Sequence, residues 1–303
     1  MSAAASADGP GRPLLAALWM SGAVVCLTAM AVAGRVLAAE LDTFELMTWR
    51  SLIGLAVVVA VAAATGRLSA IRVRRMRLHL ARNVAHFAGQ NLWFWALTAI
   101  PLAQVFALEF TSPIWVALLA PLVLGERLTR ARALAAGLGF LGVVLVAQPW
   151  VAPPSAGIAA AALAALGFAG SALCTKLLTR TESLASILFW LTAMQAGMGL
   201  AITMSDGAMA VPSPALLPWT ILVALAGLLA HLSLTAALSL APASVVMPID
   251  FARLPLAVIL GALLYGEAIG PLVAIGATTI VAANWVGLLA AGRARRARPV
   301  SLR

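Results

Sequence analysis

Apolar residues run along this chain in blocks of about 18 to 22, separated by short polar or basic stretches, and hydrophobic and polar positions do not alternate within the blocks. A barrel strand would alternate with period 2, so the blocks predict membrane-spanning helices. They fall at about residues 14–34, 44–64, 80–98, 103–123 and 131–148, then at 157–175, 184–203, 216–238, 243–264 and 271–290. Backbone groups inside hydrocarbon need partners within their own segment, which favours a helix bundle. The pattern predicts an all-α integral membrane protein with ten transmembrane helices.

The blocks come in two matching sets. Residues 101–128, PLAQVFALEFTSPIWVALLAPLVLGERL, slide without a gap onto residues 242–269, PASVVMPIDFARLPLAVILGALLYGEAI, at a shift of 141. Glu109 then falls on Asp250, Phe110 on Phe251 and the pair Gly125-Glu126 on Gly266-Glu267, while Trp49 falls on Trp190 and Gln90 on His231 further out. An acid followed by Phe and then a Gly-Glu pair in one register is not a product of bulk hydrophobicity, so residues 14–148 and 155–290 are predicted to be two copies of one unit. Residues 1–13 form a short disordered terminus, 149–154 a linker and 291–303 a basic tail. Ala31-Val32-Ala33 has the form of a signal cleavage site, but its helix is long for a signal and has a repeat partner, which predicts a retained span. Five is odd, so the second copy enters the membrane from the opposite side and the ten helices form two inverted five-helix repeats.

Charge supports that topology. The chain is 63% hydrophobic and 10% charged, with a formal net charge of +10. Sixteen basic residues, including the five arginines between Arg67 and Arg77, Lys176, Arg180 and the C-terminal tail, fall on one side of the predicted topology, and only Arg35 on the other. That bias places both termini in the cytoplasm and makes the bilayer, not nucleic acid, the partner of the positive charge. Cys26 and Cys174 lie inside apolar helices and read as small hydrophobes; no metal or cofactor site is expected.

Four ionisable residues are not assigned to loops: Arg50, Glu109, Asp250 and Arg253. Such charges cost about 2.5 to 3.5 kcal/mol each and normally face a cavity or a partner. At 1.5 Å of rise per residue, Arg50 and Glu109 each lie about 9 Å in from the outer face and are candidates for an ion pair, while Asp250 lies about 10 Å in from the inner face with Arg253 on the same side of its helix. The two acids would then stand at mirrored depths around a central zone. Buried pairs that only hold helices together are the alternative; against it, Arg50 matches Leu191 and Arg253 matches Ser112, so the arginines do not belong to the repeated scaffold. His86, Gln90 and Trp93 on the third span and His231 on the eighth are candidates either for lining the same zone or for helix-to-helix hydrogen bonds. Prolines 113, 121, 248 and 255 interrupt the fourth and ninth spans, and Glu126 and Glu267 sit just past their ends as caps.

LGERL at 124–128, the Gly-rich helix ending in VVLVAQP at 143–149 and the arginine-bearing LMTWRSLIG at 46–54 resemble the EamA domain of the drug/metabolite transporter superfamily. The second copy keeps Gly-Glu but has Ala268 where the first has Arg127. The resemblance implies a ten-helix inner-membrane secondary carrier for a small metabolite. The residues themselves point to a small polar or zwitterionic substrate, amino-acid-like or a derivative, moved by alternating access with proton coupling or exchange. A drug or other metabolite exporter of the same fold, and a non-transporting scaffold or channel, are the alternatives. An enzyme is disfavoured because the chain has no HExxH, GxSxG or clustered Asp pair, and the sequence gives no sign of oligomeric state.

Overall fold

The computed structural model describes residues 12–100, 102–125, 130–148, 155–205, 209–265 and 270–296. The expectations for residues 1–11, for the 149–154 linker, for Glu126 and Glu267, and for the last seven residues lie outside them. Among the described residues all regular structure is helical: α1 (Pro13–Leu37), α2 (Thr43–Ala64), α3 (Met76–Ala99), α4 (Leu102–Glu109), α5 (Ser112–Leu124), α6 (Arg130–Ala147), α7 (Ala156–Leu178), α8 (Leu184–Thr203), α9 (Leu217–Leu240), α10 (Ala243–Val246), α11 (Arg253–Tyr265) and α12 (Pro271–Arg296). Short 3-10 turns cover Leu68–Ala70 and Met247–Ala252.

Five of these helices, α1, α2, α7, α8 and α9, are long and apolar enough to cross a membrane. α3 is as long but carries Arg77, Arg82 and a run of polar side chains. The fourth and ninth blocks differ most from the sequence pattern, for neither is one helix. α4 stops at Glu109 and α5 restarts at Ser112 with Pro113 in its first turn, and the chain passes from α10 through a six-residue 3-10 stretch into α11. Proline lacks the N–H that continues a helix, and both breaks contain one or adjoin one. At the other end, α12 continues to Arg296, six residues into the stretch expected to be tail.

Helix starts are set locally. Asp42 and Glu45 form a capping box on α2, with hydrogen bonds of 2.9 and 3.0 Å, and Ser155 and Ser183 cap α7 and α8. α5 ends on Gly125 in the left-handed region, φ +70°.

The main packing partners are α1 with α9, α3 with α7, α2 with α8, and α6 with α12. Exchanging the halves at the 141-residue shift turns α1–α9 into α7–α3 and returns α2–α8 and α6–α12 to themselves. The bounds obey the same shift, with α9 beginning and ending where α3 maps and α11 where α5 maps. Small residues permit the close approaches. A methyl at Gly167 on α7 would stand 2.7 Å from the Ala85 carbonyl of α3, and one at Gly142 on α6 would stand 2.7 Å from the Gly276 carbonyl of α12. The two glycine-bearing runs 135–142 and 276–283 therefore face each other.

Two tryptophans fasten one half to the other. Trp49 on α2 donates its indole N–H to the Ala210 carbonyl, 2.8 Å, in the loop before α9; its repeat mate Trp190 on α8 donates to the Arg72 carbonyl, 2.9 Å, in the loop before α3. Glu45 adds an acceptor for the Ala210 N–H. Ser186, at the matching position of α8, exchanges hydrogen bonds with the Arg72 backbone.

Candidate functional site

The two helix breaks meet at a buried charge cluster. Glu109 is the last residue of α4, Asp250 lies in the 3-10 stretch and Arg253 is the first residue of α11. One guanidinium nitrogen of Arg253 donates to Glu109 Oε1 at 2.5 Å and to Asp250 Oδ2 at 2.8 Å. All three residues are less than a tenth exposed. The guanidinium also lies over the Phe110 ring, 4.9 Å from its centroid, and 5.9 Å from that of Phe106. Trp93 packs edge-on against Phe106, and its indole nitrogen stands beside the Glu109 carboxylate without reaching hydrogen-bonding geometry. Among the described residues two carboxyl groups face one cation here, and Glu109 Oε2 and Asp250 Oδ1 have no hydrogen-bond partner.

This arrangement corrects two expectations. Glu109 pairs with Arg253 and not with Arg50, and the two acids, expected on either side of a central zone, meet on one guanidinium. The depth estimate assumed unbroken helices of constant rise; the chain breaks at both acids, and the breaks bring them together. The Asp250–Arg253 contact expected from their three-residue spacing is present.

Arg50 belongs to a second cluster, between α2, α3, α8 and α9. Its Nη2 donates to Gln90 Oε1 at 2.9 Å and its Nη1 reaches the Met30 sulfur at 3.8 Å. The side chain lies along Gly227, where a methyl would come within 3.3 Å of it. His86 and His231 meet edge-on, with centroids 4.6 Å apart; Arg50 lines one cavity with His231, and Arg82 precedes His86 by four residues, about one turn, on α3. Arg50, Ser51, Thr192, Gln195 and His231 line a narrow cavity with room for no more than about one water molecule.

Sequence reasoning missed Arg82, which is 1% exposed and donates to the Thr175 hydroxyl at 2.7 Å. The arginine-rich loop just before α3 disguises it, but α3 starts at Met76, so Arg82 lies nearly two turns inside the helix. Lys176, counted among the cytoplasmic charges, is buried in α7 and donates to the Leu238 and Ala241 carbonyls at the end of α9. Its match to Arg35 under the repeat was the available signal. Asn83 and Gln195 join α3 to α8 through a bond from Gln195 Nε2 to the Asn83 carbonyl, 3.0 Å.

Comparison with known proteins agrees with this architecture. The EamA-like transporter family matches residues 14–148. A riboflavin transporter of Brucella anthropi is 36% identical over 226 residues, covering 73% of this chain and 78% of that one, and a riboflavin transporter of Rhizobium johnstonii is 37% identical over 221 residues, 72% of each. An S-adenosylmethionine uptake transporter of Rickettsia prowazekii is 25% identical over 186 residues, 61% of this chain and 63% of that one. A solved crystal structure superposes with a TM-score of 0.78 over 92% of this chain and 98% of its own at 20% identity, a likeness of fold. A multi-pass membrane protein, the chain belongs to the EamA-like transporter family of the drug/metabolite transporter superfamily.

Proposed function

We propose that this protein is a secondary carrier that moves a small polar organic metabolite by alternating access between two inverted five-helix repeats, residues 14–148 and 155–290. Its place is the bacterial inner membrane, with both termini in the cytoplasm. The observation that carries the reading is the meeting of Glu109, Asp250 and Arg253 at the breaks of both discontinuous helices. Broken helices exposing polar backbone at a repeat interface are a recurrent way to build a transport site within a bilayer. Because the cluster holds one carboxylate more than it has cations, a proton can balance it, and Glu109 or Asp250 couples transport to protons.

Riboflavin replaces an amino acid as the first candidate cargo, because two relatives at 36% and 37% identity are named for it. It is a flat heteroaromatic with a polyol chain, suited to a site offering Trp93, Phe106, Gln90 and the paired histidines. S-adenosylmethionine is the second candidate, by the more distant relative. Counterflow in proteoliposomes tests the reading: labelled riboflavin should accumulate transiently against unlabelled riboflavin inside, saturably, and an imposed pH gradient should drive net uptake. Absence of saturable counterflow for riboflavin, S-adenosylmethionine and a panel of amino acids would leave a scaffold or channel as the better account.

A further inference from the structure

The buried cations of this molecule are not treated alike. Arg253 faces two carboxylates, whereas among the described residues neither Arg50, 5% exposed, nor Arg82, 1% exposed, forms an ion pair. Their partners are neutral: Gln90 and the Met30 sulfur for Arg50, the Thr175 hydroxyl for Arg82, with the Cys174 thiol near the latter. A guanidinium kept from water without a counter-charge is among the costliest arrangements a fold can hold, and two occur beside the same pair of histidines. Buried polar atoms without partners gather here as well: Ser51 Oγ, Arg82 Nη1, His86 Nε2 and Gln195 Oε1. Ser51 and Gln195 line the cavity that Arg50 and His231 also line. Three of these four atoms can donate a hydrogen bond, and among the described residues the region supplies two positive charges and no negative one.

We propose that this chamber binds an anion, a carboxylate or phosphate group, with the Arg50 guanidinium as its principal ligand, Ser51 and His231 as donors, and Arg82 adding to the positive potential. A guanidinium fork matches both groups in geometry. The cavity as it stands is too narrow for either group, so the anion enters only when α2, α8 and α9 separate. The anion is either a group on the cargo or a free ion; that choice rests on the carrier reading, but the binding itself does not.

The purified full-length protein in detergent, titrated at constant ionic strength with inorganic phosphate, acetate, riboflavin and riboflavin 5′-phosphate, tests the proposal through its apparent Tm. A ligand that binds only the folded form at tenfold excess over Kd should raise Tm by about 3 °C. A rise with phosphate or acetate alone identifies a free anion. A rise with riboflavin 5′-phosphate that exceeds those of riboflavin and phosphate identifies a group on the cargo. Either rise should vanish in R50Q, weaken in R82Q and persist in R180Q, whose guanidinium bonds a backbone carbonyl elsewhere. If R50Q does not fold, Ser51→Asp decides: an internal carboxylate beside Arg50 should raise the ligand-free Tm and abolish the response. No rise with phosphate or acetate together with no rise for riboflavin 5′-phosphate beyond that for riboflavin, an unchanged response in R50Q, or a Ser51→Asp protein that is less stable yet still responsive would overturn the proposal. Counterflow that fails while the anion response remains would remove the carrier reading and leave the chamber.

Discussion

Two buried clusters lie within one bundle, and they handle charge in opposite ways. At the helix breaks Arg253 is enclosed by Glu109, Asp250 and two aromatic rings, and the acids are in excess. Between α2, α3, α8 and α9, Arg50 and Arg82 sit among amides, hydroxyls, sulfur and imidazoles, and cations are in excess. A protein concerned only with stability would have placed one of the spare arginines beside the spare acid. Keeping them apart leaves one region suited to a positive guest and the other to a negative one, which is consistent with a carrier that couples a proton to a polar cargo.

The comparison breaks most sharply at Arg253. Arg253→Met removes the cation and leaves two carboxylates buried together, so stability should fall by about 3 to 5 kcal/mol, measured by thermal unfolding in detergent. Replacing all three with Met, Gln and Asn should restore most of that loss and leave transport abolished. If the single substitution costs less than about 1 kcal/mol, the cluster is not the buried ionic unit described. Arg50→Met should act in the opposite direction. It removes a buried charge that faces no acid among the described residues, and in anion-free buffer it should raise stability by about 1 to 2 kcal/mol while abolishing the phosphate response. A loss equal to that of Arg253→Met would mean that both clusters are structural.

Glu109→Gln and Asp250→Asn sharpen the contrast at smaller scale. Each leaves one carboxylate for Arg253, so stability should change by about 1 kcal/mol or less. Uptake driven by a pH gradient should be lost in whichever variant removes the coupling acid, while counterflow, which needs no net proton movement, should persist. Equal gradient-driven uptake in both variants and in the unmodified protein would remove protons from the mechanism.

Much of this was readable from the sequence, and the division follows interaction range. The helical blocks follow from runs of apolar residues, and the 141-residue repeat follows from Glu109-Phe110 over Asp250-Phe251, so the positions of most helices needed no structure. Asp250 and Arg253, three residues apart, announce their contact. Glu109 and Arg253 do not, because they are 144 residues apart and meet only where both helices break. Prolines 113 and 248 signalled an interruption, but proline reports where a helix is weak and not what the loosened ends will touch. Arg82 was hidden by composition, as one more arginine after a basic loop, and Lys176 by counting it as a loop charge when its helix runs two residues further.

The smallest effect concerns the two ends of the bundle. Trp49 and Trp190 occupy matching positions and each holds a loop of the opposite half by a single indole hydrogen bond. Replacing either by Phe keeps the ring and removes the donor, at a cost of about 1 kcal/mol. If the halves open alternately, the two losses should differ in consequence although they match in size. Trp49→Phe should speed labelling of a cysteine placed at Ser213, and Trp190→Phe that of one placed at Arg72, each leaving the other site unchanged. Labelling that rises at both sites in either variant would indicate general loosening, and the symmetry of the two fastenings would then be architectural with no part in gating.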